Sequence, residues 1–104
     1  SPAAPSVFYL GYPLSLSDTE LDILLLLLSA AVRAPDADAS WVSRTEVARA
    51  FACPDSPYPG RVNGLPVSQI PVYVSRINRK AFPIGGRRLI DSHPGKGYRI
   101  NPYM

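Results

Sequence analysis

Side chains that bind metals or form disulfides are scarce in this sequence. It holds one cysteine, Cys53, and one histidine, His93, among 104 residues. One cysteine cannot close an intrachain disulfide, and the pair cannot supply the four ligands of a zinc finger. Because forty residues separate the two and no glycine-rich phosphate loop accompanies them, no catalytic set can be assembled. We therefore expect no enzyme, no metal and no cofactor, a reducing compartment, and Cys53 buried near a helix end.

Long apolar segments are also lacking. The most hydrophobic stretch, residues 21–28, includes Asp22 and is far shorter than the roughly 20 residues that a membrane-spanning helix needs. The first residues contain neither a basic region nor a long apolar run, so they do not indicate a signal peptide. With 46% hydrophobic and 18% charged residues, the chain is typical of one globular domain, and we expect no membrane partner. That domain is expected over residues 7–104, after a tail over 1–6 that is disordered or foreign to the natural protein.

Acidic residues are few in the second half of the chain. Residues 53–104 carry eight basic and two acidic side chains, whereas residues 1–52 carry three basic and six acidic ones. A basic half on a small domain is typical of a protein with a polyanionic partner, although basic surfaces also arise without one. The charge distribution therefore favours a nucleic acid as the partner.

Turn and capping signals predict an α+β fold in the order strands, three helices, hairpin. The predicted elements are strands at 7–10 and 14–16 around a turn at 11–13, helices over 18–31, 44–51 and 70–82, a brief strand at 41–42, and hairpin strands at 88–92 and 98–101. Ser17 and Ser43 open S-x-x-E capping boxes, and the proline and glycines of residues 83–86 are expected to end the third helix. Because apolar residues of the first helix spread beyond one face, we expect it to be buried on most sides. Residues 53–66 are predicted to be a long loop, either a connector or a contact segment.

The third predicted helix has two chemically different sides. Its buried stripe is predicted to be Ile70, Val74, Ile77 and Ala81. The opposite side carries Ser68, Val72, Ser75, Arg76 and Arg79, with Tyr73 and Lys80 on one flank and Asn78 on the other. Arginine matches the O6 and N7 acceptors of guanine, serine bonds to base edges, valine meets a thymine methyl group, and the flanking side chains suit phosphates. The alternative is a solvated basic surface without a nucleic-acid partner.

Five segments, in this order, resemble the OmpR/PhoB-type effector domain of bacterial two-component response regulators. They are residues 16–20 with the leucine run that follows, then 42–47, 70–80, 84–90 and 95–100. The most specific are Val-Ser-Arg-Ile-Asn-Arg-Lys at 74–80 and Gly-Lys-Gly-Tyr-Arg-Ile at 95–100. Four positions depart from the family. Pro71 replaces the usual acidic residue, Tyr73 a common histidine, Asn78 a frequent arginine and Pro94 an arginine often found on the wing.

The resemblance implies a winged helix-turn-helix with a short N-terminal antiparallel sheet, three helices and a C-terminal β-hairpin wing. The third helix would enter the major groove, and Lys96 on the wing the adjacent minor groove. Arg44 and Thr45 would lie near the DNA backbone, where a helix N-terminus favours a phosphate. With the helix faces above, the candidate DNA-binding residues are Arg44, Thr45, Ser68, Gln69, Val72, Tyr73, Ser75, Arg76, Asn78, Arg79, Lys80, Lys96 and Tyr98.

The resemblance also implies a function and its partners. We expect sequence-specific binding of double-stranded DNA for transcription regulation, in the bacterial cytoplasm at the nucleoid, with two copies pairing on DNA as one arrangement. The chain is expected to be the effector part of a response regulator, without the receiver domain that usually precedes it. The alternative is a winged helix that contacts RNA polymerase or another regulator through residues 53–66.

Overall fold

The structure, a computed structural model, describes residues 7–52 and 66–102. They form an α+β fold with a winged-helix layout, which confirms the predicted fold class. The elements are β1 (Val7–Tyr9), β2 (Tyr12–Leu14), α1 (Asp18–Arg33), α2 (Arg44–Ala52), α3 (Ile70–Gly85), β3 (Ile90–His93) and β4 (Gly97–Ile100), with 3-10 turns at Ala37–Ser40 and Val67–Gln69. The predictions for the tail over 1–6, for Cys53 and for all but the last residue of the 53–66 loop lie outside the described residues.

Helix α1 begins with the predicted capping box. The Glu20 amide donates to Ser17 Oγ at 3.3 Å, and the Ser17 amide donates to the Glu20 carboxylate at 3.1 Å. Two amides that have no partner within the helix are thereby satisfied. Because the Glu20 side chain is also buried, this cap lies inside the fold and does not face solvent.

Only one side of α1 is buried. Ile23, Leu24 and Leu27 face the core, where α1 packs on α3 and on β4. The opposite side exposes Leu25, Leu28 and Val32. The expectation that α1 is buried on most sides is therefore wrong, because within the described residues the neighbouring elements cover one face only.

Helix α3 places its predicted stripe in the core. Ile70, Ile77 and Ala81 are fully buried and Val74 nearly so, which confirms the stripe. The helix nevertheless runs past its predicted end, through Pro83 to Gly85. It ends at Gly86, whose φ of 72° is the left-handed conformation that glycine adopts without a steric penalty, and whose amide donates to the Phe82 carbonyl.

The N-terminal hairpin has a different register from the predicted one. Tyr9 lies opposite Tyr12, so the turn is Leu10-Gly11 and not residues 11–13. Both turn residues have positive φ, 52° and 83°, as a type I′ hairpin turn requires. Pro13 consequently lies within β2, on a two-stranded sheet where an edge position tolerates the missing amide.

The C-terminal hairpin, which we call the wing, is joined to the segment before α2. Val42 and Tyr98 exchange two backbone hydrogen bonds of 2.8 Å each, so the predicted strand at 41–42 is present as a single-residue bridge. Gly97 allows this close approach. Its φ is 104°, and a Cβ at this position would lie 2.6 Å from Cα of Ser43.

All three helices and the wing contribute to one core. Its largest fully buried side chains are Phe51, Ile23, Leu27, Ile70, Ile77, Ile90 and Val47. Val47 and Phe51 face inward from α2. Among the helices that the structure describes, none combines the length and the apolar character needed to cross a bilayer.

Candidate nucleic-acid interface

One side of α3 faces solvent because its other side fills the core. The predicted reading face, which consists of Ser68, Val72, Ser75, Arg76 and Arg79, is exposed at every position, as is Gln69. The chain has no acidic residue between Asp55 and Asp91. The reading face therefore presents positive charge and hydrogen-bond donors without a carboxylate of its own.

The two arginines of the reading face are held differently. Arg76 Cζ lies 5.6 Å from the ring centre of Tyr73, which is half-buried one helical turn earlier. A cation at this distance from an aromatic face is attracted to it, so Tyr73 restricts the orientations of Arg76. Arg79 forms no ion pair with any carboxylate in the described ranges. Both guanidinium groups are accessible to an acceptor outside the fold.

Asn78 has a structural role that the sequence analysis did not predict. Its Nδ2 donates to the Ile90 carbonyl at 3.1 Å, and its Oδ1 accepts from the Ile90 amide at 2.8 Å. Both ends of the side-chain amide are thus used to join α3 to β3. The expected contact of Asn78 with a phosphate stays a prediction beside this structural role.

Lys80 is used inside the fold in a similar way. Its Nζ lies 2.6 and 3.0 Å from the two carboxylate oxygens of Glu20, whose side chain is only 3% exposed. Burial alone would raise the pKa of Glu20, but the hydrogen bonds from Lys80 and from the Ser17 amide outweigh it, so the pKa lies below its ordinary value. Lys80 joins α3 to α1, and its contact with a phosphate stays a prediction.

Tyr98 belongs to the core. The residue is 5% exposed, and burial raises the pKa of its hydroxyl despite the opposing effect of Arg44. Little of the side chain is accessible to a ligand, which corrects the expectation of a direct DNA contact. The backbone of Tyr98 instead pairs with Val42 and so attaches the wing to the segment before α2.

The starts of α2 and α3 meet the wing in an open cleft of about 460 Å³. Its lining residues are Ser43, Arg44, Thr45, Pro71, Ser92, His93, Pro94, Gly95, Lys96, Gly97 and Tyr98. Arg44, Thr45 and Lys96, which are far apart in the sequence, are exposed and lie together here. The α2 start is ordered by Ser43 Oγ, which accepts from the Glu46 amide at 3.1 Å. Four of the predicted site residues, these three and the buried Tyr98, thus line one basic cleft beside the first turn of α3.

A second depression lies toward the C-terminal end of α3, and the sequence analysis missed it. It is lined by Ser75, Asn78, Arg79, Phe82, Pro83 and Arg88. Phe82 is 56% exposed there, beside two arginines. The prediction ended α3 at residue 82, so the last turn was left out. Phe82 itself lies within the predicted helix, so the helical periodicity could have placed it beside Arg79 and Ser75, three and seven residues earlier.

No protein-family model matches the chain, and no curated protein matches it. In the part of the chain that the structure describes, no group of three or more histidine, cysteine, aspartate or glutamate side chains is arranged to hold a metal ion. The interpretation of this surface therefore depends on its own geometry and charge.

The dimensions of α3 suit a duplex groove. Its 16 residues span about 24 Å at roughly 1.5 Å per residue, and the major groove, about 12 Å wide, admits one α-helix. The reading face projects arginine and serine along this length, and the basic cleft lies beside its first turn. The surface can therefore contact base edges through α3 and phosphates through Arg44, Thr45 and Lys96 at the same time.

Proposed function

We propose that this chain binds double-stranded DNA in a sequence-specific manner and regulates transcription. The resemblance of its five sequence segments further supports a role as the effector domain of a two-component response regulator in a bacterial cytoplasm. The contacts would be divided between α3, which reads base edges, and the cleft formed with α2 and the wing, which grips the backbone.

The observation that carries this proposal is the exposed, acid-free face of α3. A helix whose arginines served the fold would direct them to carboxylates, as Lys80 is directed to Glu20. Arg76 and Arg79 instead project from the molecule. Guanidinium groups on an exposed helix provide the donor pairs that match guanine in the major groove.

The remaining basic surface supports the same ligand. Arg44 and Lys96 belong to different elements but line one cleft at the start of α3. Phosphates of a duplex flank the groove that a recognition helix enters, so cations beside α3 are where backbone contacts are needed. The segregation of basic residues into the second half of the chain would also speed the association with a polyanion.

The test begins with selection of bound sequences from a random duplex pool at physiological salt. Fluorescence anisotropy of the selected duplex then gives Kd as a function of salt. Neutralisation of about 4–6 phosphates predicts a log–log slope of about −4 to −5. Arg76→Ala and Arg79→Ala are each expected to weaken binding by about 1–3 kcal/mol and to relax the preference at one base position.

Arg33→Ala is the matched control, because Arg33 is an exposed arginine in the last turn of α1. It should leave Kd for the selected duplex unchanged. If no motif is recovered, or if Arg76→Ala and Arg79→Ala both bind the duplex as tightly as the parent, α3 is not a DNA-reading helix and the proposal fails.

A further inference from the structure

Trp41 lies at the base of the wing and contacts three of its side chains. Arg99 Cζ is 4.4 Å from the indole centre and Lys96 Nζ is 5.8 Å from it. The His93 ring meets the indole edge-on at 5.9 Å. An aromatic ring attracts cations through its negative face, so two of these contacts hold positively charged groups of the wing.

Arg99 fixes the ring to the fold. Its side chain is 11% exposed, and its guanidinium donates to the Ala37 carbonyl at 3.1 Å and to the Asp91 carboxylate at 3.4 Å. It also lies 3.6 Å from Asp38. The Arg99 guanidinium thus connects Trp41 to both wing strands and to the 3-10 turn at Ala37–Ser40. These contacts hold Arg99 against the indole ring.

Lys96 differs from Arg99 in that it is exposed at the wing tip. In the described ranges no carboxylate forms an ion pair with it. Its ammonium is within reach of Trp41, and its side chain lines the same cleft as Arg44 and Thr45. A lysine has four rotatable bonds, so a contact that restricts its position lowers the entropic cost of using it.

We propose that Trp41 is a positioning residue that keeps the Lys96 ammonium at the cleft, where it binds a backbone phosphate of the duplex. This inference rests on the proposed function. The indole contributes its ring face and not its N–H group, because Nε1 is buried without a hydrogen-bond acceptor among the described residues. Phenylalanine at this position should therefore preserve the role, since it keeps an aromatic face and removes an unsatisfied donor.

The binding test uses the selected duplex and compares Trp41→Leu with Trp41→Phe. We expect Trp41→Leu to raise Kd about two- to fivefold. This is the change in Kd that corresponds to losing one cation–π contact at an exposed site. The log–log salt slope should fall by about 0.9, the value for one phosphate contact. Trp41→Phe should bind like the parent, and a melting curve of each variant shows whether it is folded.

A double-mutant cycle separates positioning from a general structural role. Lys96→Gln should weaken binding in the parent but have little further effect in the Trp41→Leu background, because the two residues serve one phosphate contact. Arg79→Gln is the control and should weaken binding equally in both backgrounds. If the losses from Trp41→Leu and Lys96→Gln are additive, or if Trp41→Phe binds as weakly as Trp41→Leu, the inference is overturned.

A measurement without DNA keeps the inference testable if Trp41→Leu does not fold. Trp41 is the single tryptophan of the chain, so emission excited at 295 nm reports its surroundings alone. Lys96→Gln should shift this emission and Arg79→Gln should not, and equal spectra for Lys96→Gln and the parent overturn the contact. A parent that binds no duplex at any salt overturns the proposed function, whereas a parent that binds with additive losses overturns only the role of Trp41.

Discussion

Individual polar residues of α3 have roles that the helical periodicity could not assign. Asn78 and Lys80 lie on its flanks, where the helical periodicity leaves open whether solvent or another element lies alongside. The structure gives both of them partners inside the fold, Ile90 and Glu20. Arg79, between them in the sequence, is exposed on the reading face. At this scale the direction of a side chain could be predicted, but its partner could not, because the partners come from distant parts of the chain.

Asn78→Ala tests the structural role of Asn78. It leaves the amide and the carbonyl of Ile90 without their side-chain partners in a partly buried place. We expect the free energy of unfolding to fall by about 1–3 kcal/mol, the cost of unsatisfied buried polar groups. Urea denaturation measures this change. Arg79→Ala, on the exposed face, is the control and should stay within about 0.5 kcal/mol of the parent.

Asn78→Ala also distinguishes the two roles considered for Asn78, a structural bond to Ile90 and a contact with DNA. At a temperature where Asn78→Ala is folded, its affinity for the selected duplex should equal that of the parent. A variant with parental stability and weakened DNA binding would show that Asn78 contacts DNA and that its bonds to Ile90 contribute little.

At the scale of elements, local signals predicted the order and type of helices and strands better than their ends. Ser17 marks the start of α1 because its capping box involves residues that are three apart in sequence. The turn at Leu10-Gly11 was misplaced because Pro13 is itself a common turn residue, and sequence alone does not give the hairpin register. Gly97 falls between the two predicted hairpin strands, at 88–92 and 98–101, so the sequence indicates only a turn position for it. Its contact with the segment before α2 is tertiary and has no local signal.

Two glycines of the wing turn offer a matched comparison. Gly95 and Gly97 both have positive φ, 85° and 104°, but of the two only Gly97 has other atoms within 4 Å of the place that a Cβ would occupy. We expect Gly95→Ala to lower the free energy of unfolding by about 1–2 kcal/mol through backbone strain alone. Gly97→Ala should cost more, about 3 kcal/mol or above, because the added methyl group forces Tyr98 away from Val42.

Thermal or urea unfolding of the two variants measures this difference. Equal losses for Gly95→Ala and Gly97→Ala would mean that the wing is not held against the segment before α2. In that case the basic cleft, which depends on that attachment, would not be a fixed feature of the molecule.

At the scale of the whole molecule, ion pairs among the described residues join the acidic half of the chain to the basic half, and one of them is Glu20–Lys80. Glu20 caps α1 and accepts from Lys80, sixty residues later, on α3. Because Lys80 is on the helix that carries the reading face, the carboxylate that caps α1 also joins α1 to α3. Composition predicted the separation of charge between the two halves. It could not predict that one pair of opposite charges closes the fold while the arginines of the reading face stay outside.

The Glu20–Lys80 pair makes the stability of the whole domain depend on pH. The pKa of Glu20 in the folded protein lies below its ordinary value of 4.5. Its contribution to stability is therefore complete above 4.5 and is lost as the pH falls through the lowered pKa, where the folded state must take up a proton. Urea unfolding between pH 3 and 7 should show this loss as a falling free energy on the acid side.

Two variants test whether the loss of stability at low pH comes from the Glu20–Lys80 pair. Glu20→Gln cannot titrate, so it should be less stable than the parent at pH 7, and the difference should shrink as the pH falls. Lys80→Met removes the strongest opposing effect and leaves burial to raise the pKa of Glu20, so this variant should lose the acid-side fall that Glu20 causes and should gain stability relative to the parent as the pH falls. If the curves of the parent and of Glu20→Gln run parallel over the whole range, Glu20 is not paired in solution.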